Sequence, residues 1–223
     1  MSSEDSKTMA RLITERVSIR SYLPDPVSQE HLDLILEAGR RAPSGENAQP
    51  WKFIVVQDDR TRKIIGDLAR IGSGRRFTAE YINKTMDHRF EGLDDPAKRK
   101  AVFDKLTSGS VSAFLAEAPL LIVVVGRKGV WDTPFDCSAA IENMLLQAQA
   151  MQLGGCWVNA ITMDVRDETV LADLLTVPAD YKIVSVISFG YPPKMRGPRK
   201  RLPMEEIVYN EKFGQAYVPG GAK

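Results

Sequence analysis

Six consecutive apolar residues, Leu120 to Val125, closed by Gly126, set the strongest constraint on what this chain can become. A run with no polar side fits a strand covered on both faces, and it is far too short to span a bilayer. The covering material lies just downstream. Cys137, Ala140, Ile141, Met144, Leu145, Ala148 and Met151 recur at helical spacing and leave a long helix apolar around much of its circumference, the pattern of a central core helix. Trp51 to Val56, rich in β-branched and aromatic residues, reads as a strand, and Ile183 to Phe189, closed by Gly190-Tyr191-Pro192-Pro193, as another buried one. Gly154-Gly155 reads as a helix breaker, followed by a strand or turn over Trp157 to Thr162.

Helices separate these strands. Met9, Leu12, Ile13 and Arg16 fall at helical spacing on a short N-terminal helix interrupted by Val17 to Pro26. Ser28 is a plausible N-cap for a helix carrying Leu32, Ile35, Leu36 and Gly39 and stopped by Pro43, and Asp164 stands near the start of a helix over Arg166 to Leu175. Residues 71 to 110 are charged and only patchily periodic, which suggests a helical insertion or lid rather than a second core. The tail from Lys194 shows little hydrophobic periodicity. Strands separated by helices, with both ends extended, predict one α+β domain over residues 1–223 whose arms, including 194–223, pack on a second subunit.

Thirty Lys and Arg against twenty-nine Asp and Glu leave a formal charge of +1, so no global field steers the chain onto nucleic acid or anionic lipid. Met1 to Thr8 is polar and carries Glu4 and Asp5, unlike a secretion signal, and with two cysteines at neither metal nor disulfide spacing the expectation is a cytoplasmic protein. No Gly-x-Gly-x-x-Gly opens a helix after a strand; Gly72-Ser73-Gly74 follows a helical segment and runs into Arg75-Arg76. His31 and His88 are the only histidines, so a His-based metal site is not expected.

Two basic clusters remain. Arg16, Ser18 and Arg20 would all face one side of an extended segment and could grip a phosphate dianion, since a guanidinium donates two parallel hydrogen bonds and keeps its charge. Taken alone, a solvated surface explains such a stretch more often. Arg199-Lys200-Arg201 could be a nucleic-acid patch, a solvated tail or the other half of the same anion site.

The combination is more specific. An N-terminal Arg-x-Ser-x-Arg, the segment Ala42-Pro43-Ser44-Gly45-Glu46-Asn47-Ala48-Gln49-Pro50-Trp51, Cys156-Trp157 after a long core helix and a C-terminal Arg199-Lys200-Arg201-Leu202-Pro203 stand in one order. In that order they resemble the FMN-dependent nitroreductase family, from about Arg11 to Val208. The resemblance implies a central mixed or antiparallel sheet flanked by helices and a homodimer with shared sites. It implies that Arg16, Val17, Ser18 and Arg20 hold the FMN phosphate and ribityl end, with Arg199 and Arg201 closing from the tail. Pro43, Ser44, Gly45 and Asn47 would reach the flavin from the second subunit. Val158, Asn159 and Ala160 would line the ring, Asn159 and Ala160 offering a main-chain N–H to its reactive nitrogen. Asn159 stands where many members carry Gly, and the Asn that some use on the ring falls near Val111.

The function implied is an oxidoreductase: NADH or NADPH reduces FMN and leaves, and a small nitroaromatic, quinone or enone takes its place, with no side chain acting as catalytic acid. Reductive dehalogenation or flavin breakdown is the alternative within the same fold family, with Tyr81, Met86, Arg89 and Phe90 of the 71–110 zone as candidate lid contacts. Nucleic-acid binding through 194–201 is the remote one, opposed by the near-neutral charge and the lack of aromatics in the patch.

Overall fold

The computed structural model describes residues 3–217. Helix α1 (Ser3–Glu15) opens the chain and buries none of its residues. Helix α2 (Gln29–Arg40) starts where expected, at Ser28, whose hydroxyl accepts the His31 N–H at 3.2 Å. Strand β1 (Trp51–Val56) leads into α3 (Asp59–Ile82), capped by Asp58. After a 3-10 turn over Asp87–Phe90 come α4 (Pro96–Thr107) and a second 3-10 stretch, Ser110–Ala116. Strand β2 (Leu120–Arg127), α5 (Thr133–Ala150), β3 (Gly154–Val158), α6 (Val165–Leu174), β4 (Tyr181–Gly190) and a short α7 (Met204–Ile207) complete the order.

The four strands form one antiparallel sheet in the order β1-β2-β4-β3. Alternation along β2 explains why its sequence is apolar throughout. Leu120, Ile122 and Val124 join a cluster with Ile35 of α2 and Cys137, Ile141 and Met144 of α5, while Leu121, Val123 and Val125 join Ile65 and Ala69 of α3 and Leu171 of α6 on the opposite face. Both clusters are buried and apolar, so β2 has a packed partner on each side. No helix among the described residues is long and apolar enough to cross a membrane.

The structure corrects three expectations. Gly154 and Gly155 do not break a helix; they are the first two residues of β3, and α5 has already ended at Ala150. The 71–110 zone is helical but carries a small core of its own, Phe77, Met86, Phe90 and Leu106, packed with Leu93, Val102, Phe103 and Val111. It does not begin at residue 71, because α3 runs unbroken through Gly72-Ser73-Gly74. There a Cβ on Gly72 would stand 2.6 Å from the Ala160 carbonyl oxygen and one on Gly74 2.7 Å from that of Thr107, so the two glycines let α3 wedge between the turn after β3 and the end of α4.

Candidate functional site

The 16–20 segment lies along the edge of the sheet and bridges it at one point. Ser18 pairs in parallel with Gly155, and the Ile19 N–H donates to the Gly155 carbonyl at 3.0 Å, so the segment extends the sheet beyond β3. Val17 and Ile19 are buried at 5% and 2% exposure, which leaves Arg16, Ser18 and Arg20 on the other side, as the alternation requires. Gly154 makes the approach possible, since a Cβ there would meet the Ile19 Cβ at 2.6 Å. Tyr22 locks the strand: its hydroxyl donates to the Ile19 carbonyl and lies 2.7 Å from the Ser188 hydroxyl of β4. Burial pushes the Tyr22 phenol well above its ordinary range, so it stays a neutral donor.

Three side chains of this strand surround Cys156. Burial raises the Cys156 thiol, and the Arg20 charge, a Ser18 hydrogen bond and the Arg16 charge oppose that rise. Arg16 is paired with Glu142 of α5, Nε to Oε1 3.3 Å, whereas Arg20 lies over the Phe114 ring at 5.9 Å. Across from Arg20 and Ser21, the chain leaving β4 passes as Pro193 to Gly197 and encloses a cleft of about 480 Å³. Lys194 and Arg196 therefore share that cleft with Arg20, and among the described residues none of the three forms an ion pair with a carboxylate. Arg199 and Arg201, the tail residues singled out in the sequence, are exposed outside it; Arg201 donates to the carbonyls of Arg199 and Lys200.

At the far end of β3 the chain turns over residues 159–162, where the Asn159 carbonyl accepts from the Thr162 N–H and hydroxyl, both at 3.1 Å. The Asn159 side chain is held back against the protein. Its Oδ1 accepts from the Trp157 indole N–H and the Ser185 hydroxyl, each at 2.7 Å. Val158 and Ala160 are buried, and Ala160 packs under Gly72 of α3. Arg75, one turn along α3, ties the same region down by pairing with Asp164 at 2.7 Å and with the buried Asp167 at 3.3 Å.

The remaining expected residues do not join this group within one chain. Pro43, Ser44, Gly45 and Asn47 precede β1, on the opposite edge of the sheet from the 16–20 strand, four strand spacings or about 19 Å away. They rest instead on the start of α5, where the Gly45 N–H donates to Asp136 Oδ1 at 3.1 Å. Of the residues expected as lid contacts, Met86 and Phe90 are buried in the small core of the 71–110 zone. Tyr81 is half-exposed with its ring edge-on to Phe90 and Phe103, and Arg89 stacks over Phe77 at 5.2 Å. Sequence reasoning did not separate Arg196 from its basic neighbours and missed Glu142, Tyr22 and Asp136, for which helix or strand spacing alone carries no signal.

The model of the nitroreductase family matches residues 13–191. A protein of Archaeoglobus fulgidus, provisionally described as an NADH dehydrogenase/NAD(P)H nitroreductase, is 30% identical over 182 residues, covering 82% of this chain and 84% of the relative. An iodotyrosine deiodinase of Thermotoga neapolitana is 26% identical over 202 residues, 91% of this chain and 96% of its own. Among solved structures, an FMN-dependent nitroreductase from Clostridium difficile R20291 superposes with a TM-score of 0.67 at 26% identity, covering 91% of this chain and 98% of that one.

Proposed function

The chain belongs to the nitroreductase family and is an oxidoreductase that works with FMN and NAD(P)H; from that premise we propose that it reduces a small oxidised acceptor, of the nitroaromatic or quinone class, by alternating turnover with NADH or NADPH. The observation that carries the reading is the edge strand. It sets Arg16, Ser18 and Arg20 on one side, and Arg20 shares a cleft with Lys194 and Arg196. That donor set fits a phosphate-tailed flavin, because four cations with a single carboxylate partner among them leave a concentrated positive field for a dianion.

FMN held there would supply the redox chemistry, hydride transfer between nicotinamide and acceptor. The protein's part is orientation. Arg16 and Arg20 hold the phosphate, Ser18 adds a hydroxyl between them, and Arg196 closes from the tail. The turn at Asn159 and Ala160 presents main-chain N–H groups whose positions are fixed by Trp157, Ser185 and α3, so a charge developing there is stabilised with little reorganisation. Pro43, Ser44, Gly45 and Asn47 complete the site from a second copy of the chain, since within one copy they lie across the sheet. The helices around Phe77 and Phe103 cover the acceptor and exclude water.

Titration of the purified protein with FMN, followed by flavin fluorescence, tests the reading. Loss of one charge-assisted hydrogen bond costs about 1.5–3 kcal/mol, so Arg16→Ala with Arg20→Ala weakens FMN binding by at least roughly a hundredfold. A protein that takes up no flavin overturns the assignment. Parallel double-reciprocal plots for nicotinamide against a nitroaromatic or a quinone check the alternating mechanism. The deiodinase relative and a lid with its own core favour one second reading, reductive dehalogenation of an iodinated aromatic; absence of iodide release from iodotyrosine by the reduced enzyme discards it.

A further inference from the structure

The loop over residues 44–49 is held in a conformation it would not choose. Glu46, Asn47 and Gln49 all have left-handed φ values, 51°, 55° and 46°, which side-chain-bearing residues adopt only when their surroundings impose them. The local hydrogen bonds account for part of this: Ser44 Oγ accepts the Gln49 N–H at 3.0 Å, and the Ser44 carbonyl accepts the Asn47 N–H at 3.0 Å. The tie to the rest of the molecule is Asp136. Its Oδ1 accepts the Gly45 N–H, while its Oδ2 is buried and has no hydrogen-bond partner.

An acid in the first turn of a helix is common, but it is ordinarily solvated. Asp136 is 6% exposed and turned toward the loop. A half-satisfied buried carboxylate lowers stability relative to an apolar side chain of the same size, so core packing does not explain it. Resting on the reading that this loop serves the flavin site of a second copy, we infer that Asp136 is a positioning residue. Its carboxylate oxygen clamps the strained loop through the Gly45 amide, so that the loop is set before cofactor or acceptor arrives.

The test replaces Asp136 in the full-length, FMN-loaded protein. Asp136→Leu removes the acceptor without opening a cavity, and Asp136→Asn keeps an acceptor oxygen for Gly45 while removing the charge. The expected result for Asp136→Leu is a melting temperature no lower than the parent's, loss of hydrogen-exchange protection at the Gly45 amide, and a fall in turnover of roughly ten- to a hundredfold, the penalty for small misplacement of a positioned group. Asp136→Asn retains both protection and turnover. Turnover by Asp136→Leu within twofold of the parent overturns the inference, as does Asp136→Asn impaired to the same degree. If Asp136→Leu does not fold, exchange at Gly45 in Asp136→Asn decides: retained protection supports the clamp, and lost protection refutes it. Should the parent itself bind no flavin, the functional reading fails separately, and the exchange measurement alone still tests the clamp.

Discussion

Adding one methyl group at Gly154 separates the site from the core on which it is built. A Cβ there would sit 2.6 Å from Ile19 Cβ and Cγ2 and 2.8 Å from Cγ1, whereas a Cβ on the neighbouring Gly155 would meet the Leu145 Cδ2 at 2.6 Å and the Phe189 ring at 3.1 Å. Both substitutions overpack a tight interior, at about 1–3 kcal/mol each. For a chain of this size that lowers the melting temperature by about 2–4 °C per kcal/mol. The neighbours differ in how they can yield. Leu145 and Phe189 can shift rotamer within α5 and β4, but the Ile19 Cβ is fixed to its backbone, so relief at Gly154 comes only by pushing the 16–20 strand off the edge of β3. Truncating Ile19 to Ala offers no rescue, because its Cβ is among the colliding atoms. Displacing the strand misaligns Arg16, Ser18 and Arg20 together. Losing the equivalent of one charge-assisted hydrogen bond, about 1.5–3 kcal/mol, weakens FMN binding by roughly ten- to a hundredfold. Paired thermal melts and flavin fluorescence titrations of Gly154→Ala and Gly155→Ala therefore show similar losses of stability but unequal losses of flavin. An FMN affinity for Gly154→Ala within twofold of the parent refutes the claim that the edge strand is the cofactor grip.

Releasing Arg16 from its carboxylate partner acts in the opposite direction: Glu142→Gln tightens FMN binding a few-fold at low ionic strength, about 0.2–1 kcal/mol for a partly exposed pair, with the gain shrinking as salt is added. The same titration of the parent and Glu142→Gln at two salt concentrations reads it. The Cys137 thiol is pushed up to about 12 by burial and by the Asp136 charge, so in the native protein at pH 8 it resists alkylation and reacts only after denaturation, as a thiol count before and after guanidinium shows. On the acid side, Arg40 and Arg41 hold Glu37 down to about 2, and Arg166 and Arg75 hold Asp164 well below the carboxylate range. Both folded-state values lie below the unfolded ones, so this contribution is present at pH 7 and is lost as pH falls from about 4 toward 2; melts across that window show the decline, and it is shallower in Asp164→Asn.

Much of the architecture was legible because its signals are local. The bounds of β1 coincide with the aromatic and β-branched stretch from Trp51 to Val56, and the cap of α2 with Ser28. The misreadings share one cause. Gly154 and Gly155 read as a helix breaker, and Gly72 and Gly74 fall where the 71–110 zone reads as beginning, yet each occupies a point where another backbone or side chain leaves no room for a Cβ, a tertiary fact with no trace in local spacing. Met86 and Phe90 are chemically plausible as substrate contacts, but they form the interior of the helical segment that carries them. Alternation alone sorted Arg16, Ser18 and Arg20 from Val17 and Ile19. The tail offered no such periodicity, so nothing distinguished Arg196 in the cleft from Arg199 outside it.

The strand beyond β3 carries a second consequence. An open sheet ends in a row of unpaired backbone groups that invite another chain to dock, and here the segment that bridges that row at Gly155 carries the residues proposed to hold the cofactor. On the proposed reading solubility and cofactor retention are linked: a lesion at Tyr22 that peels the 16–20 segment away uncovers the β3 edge and displaces Arg16, Ser18 and Arg20 at the same moment.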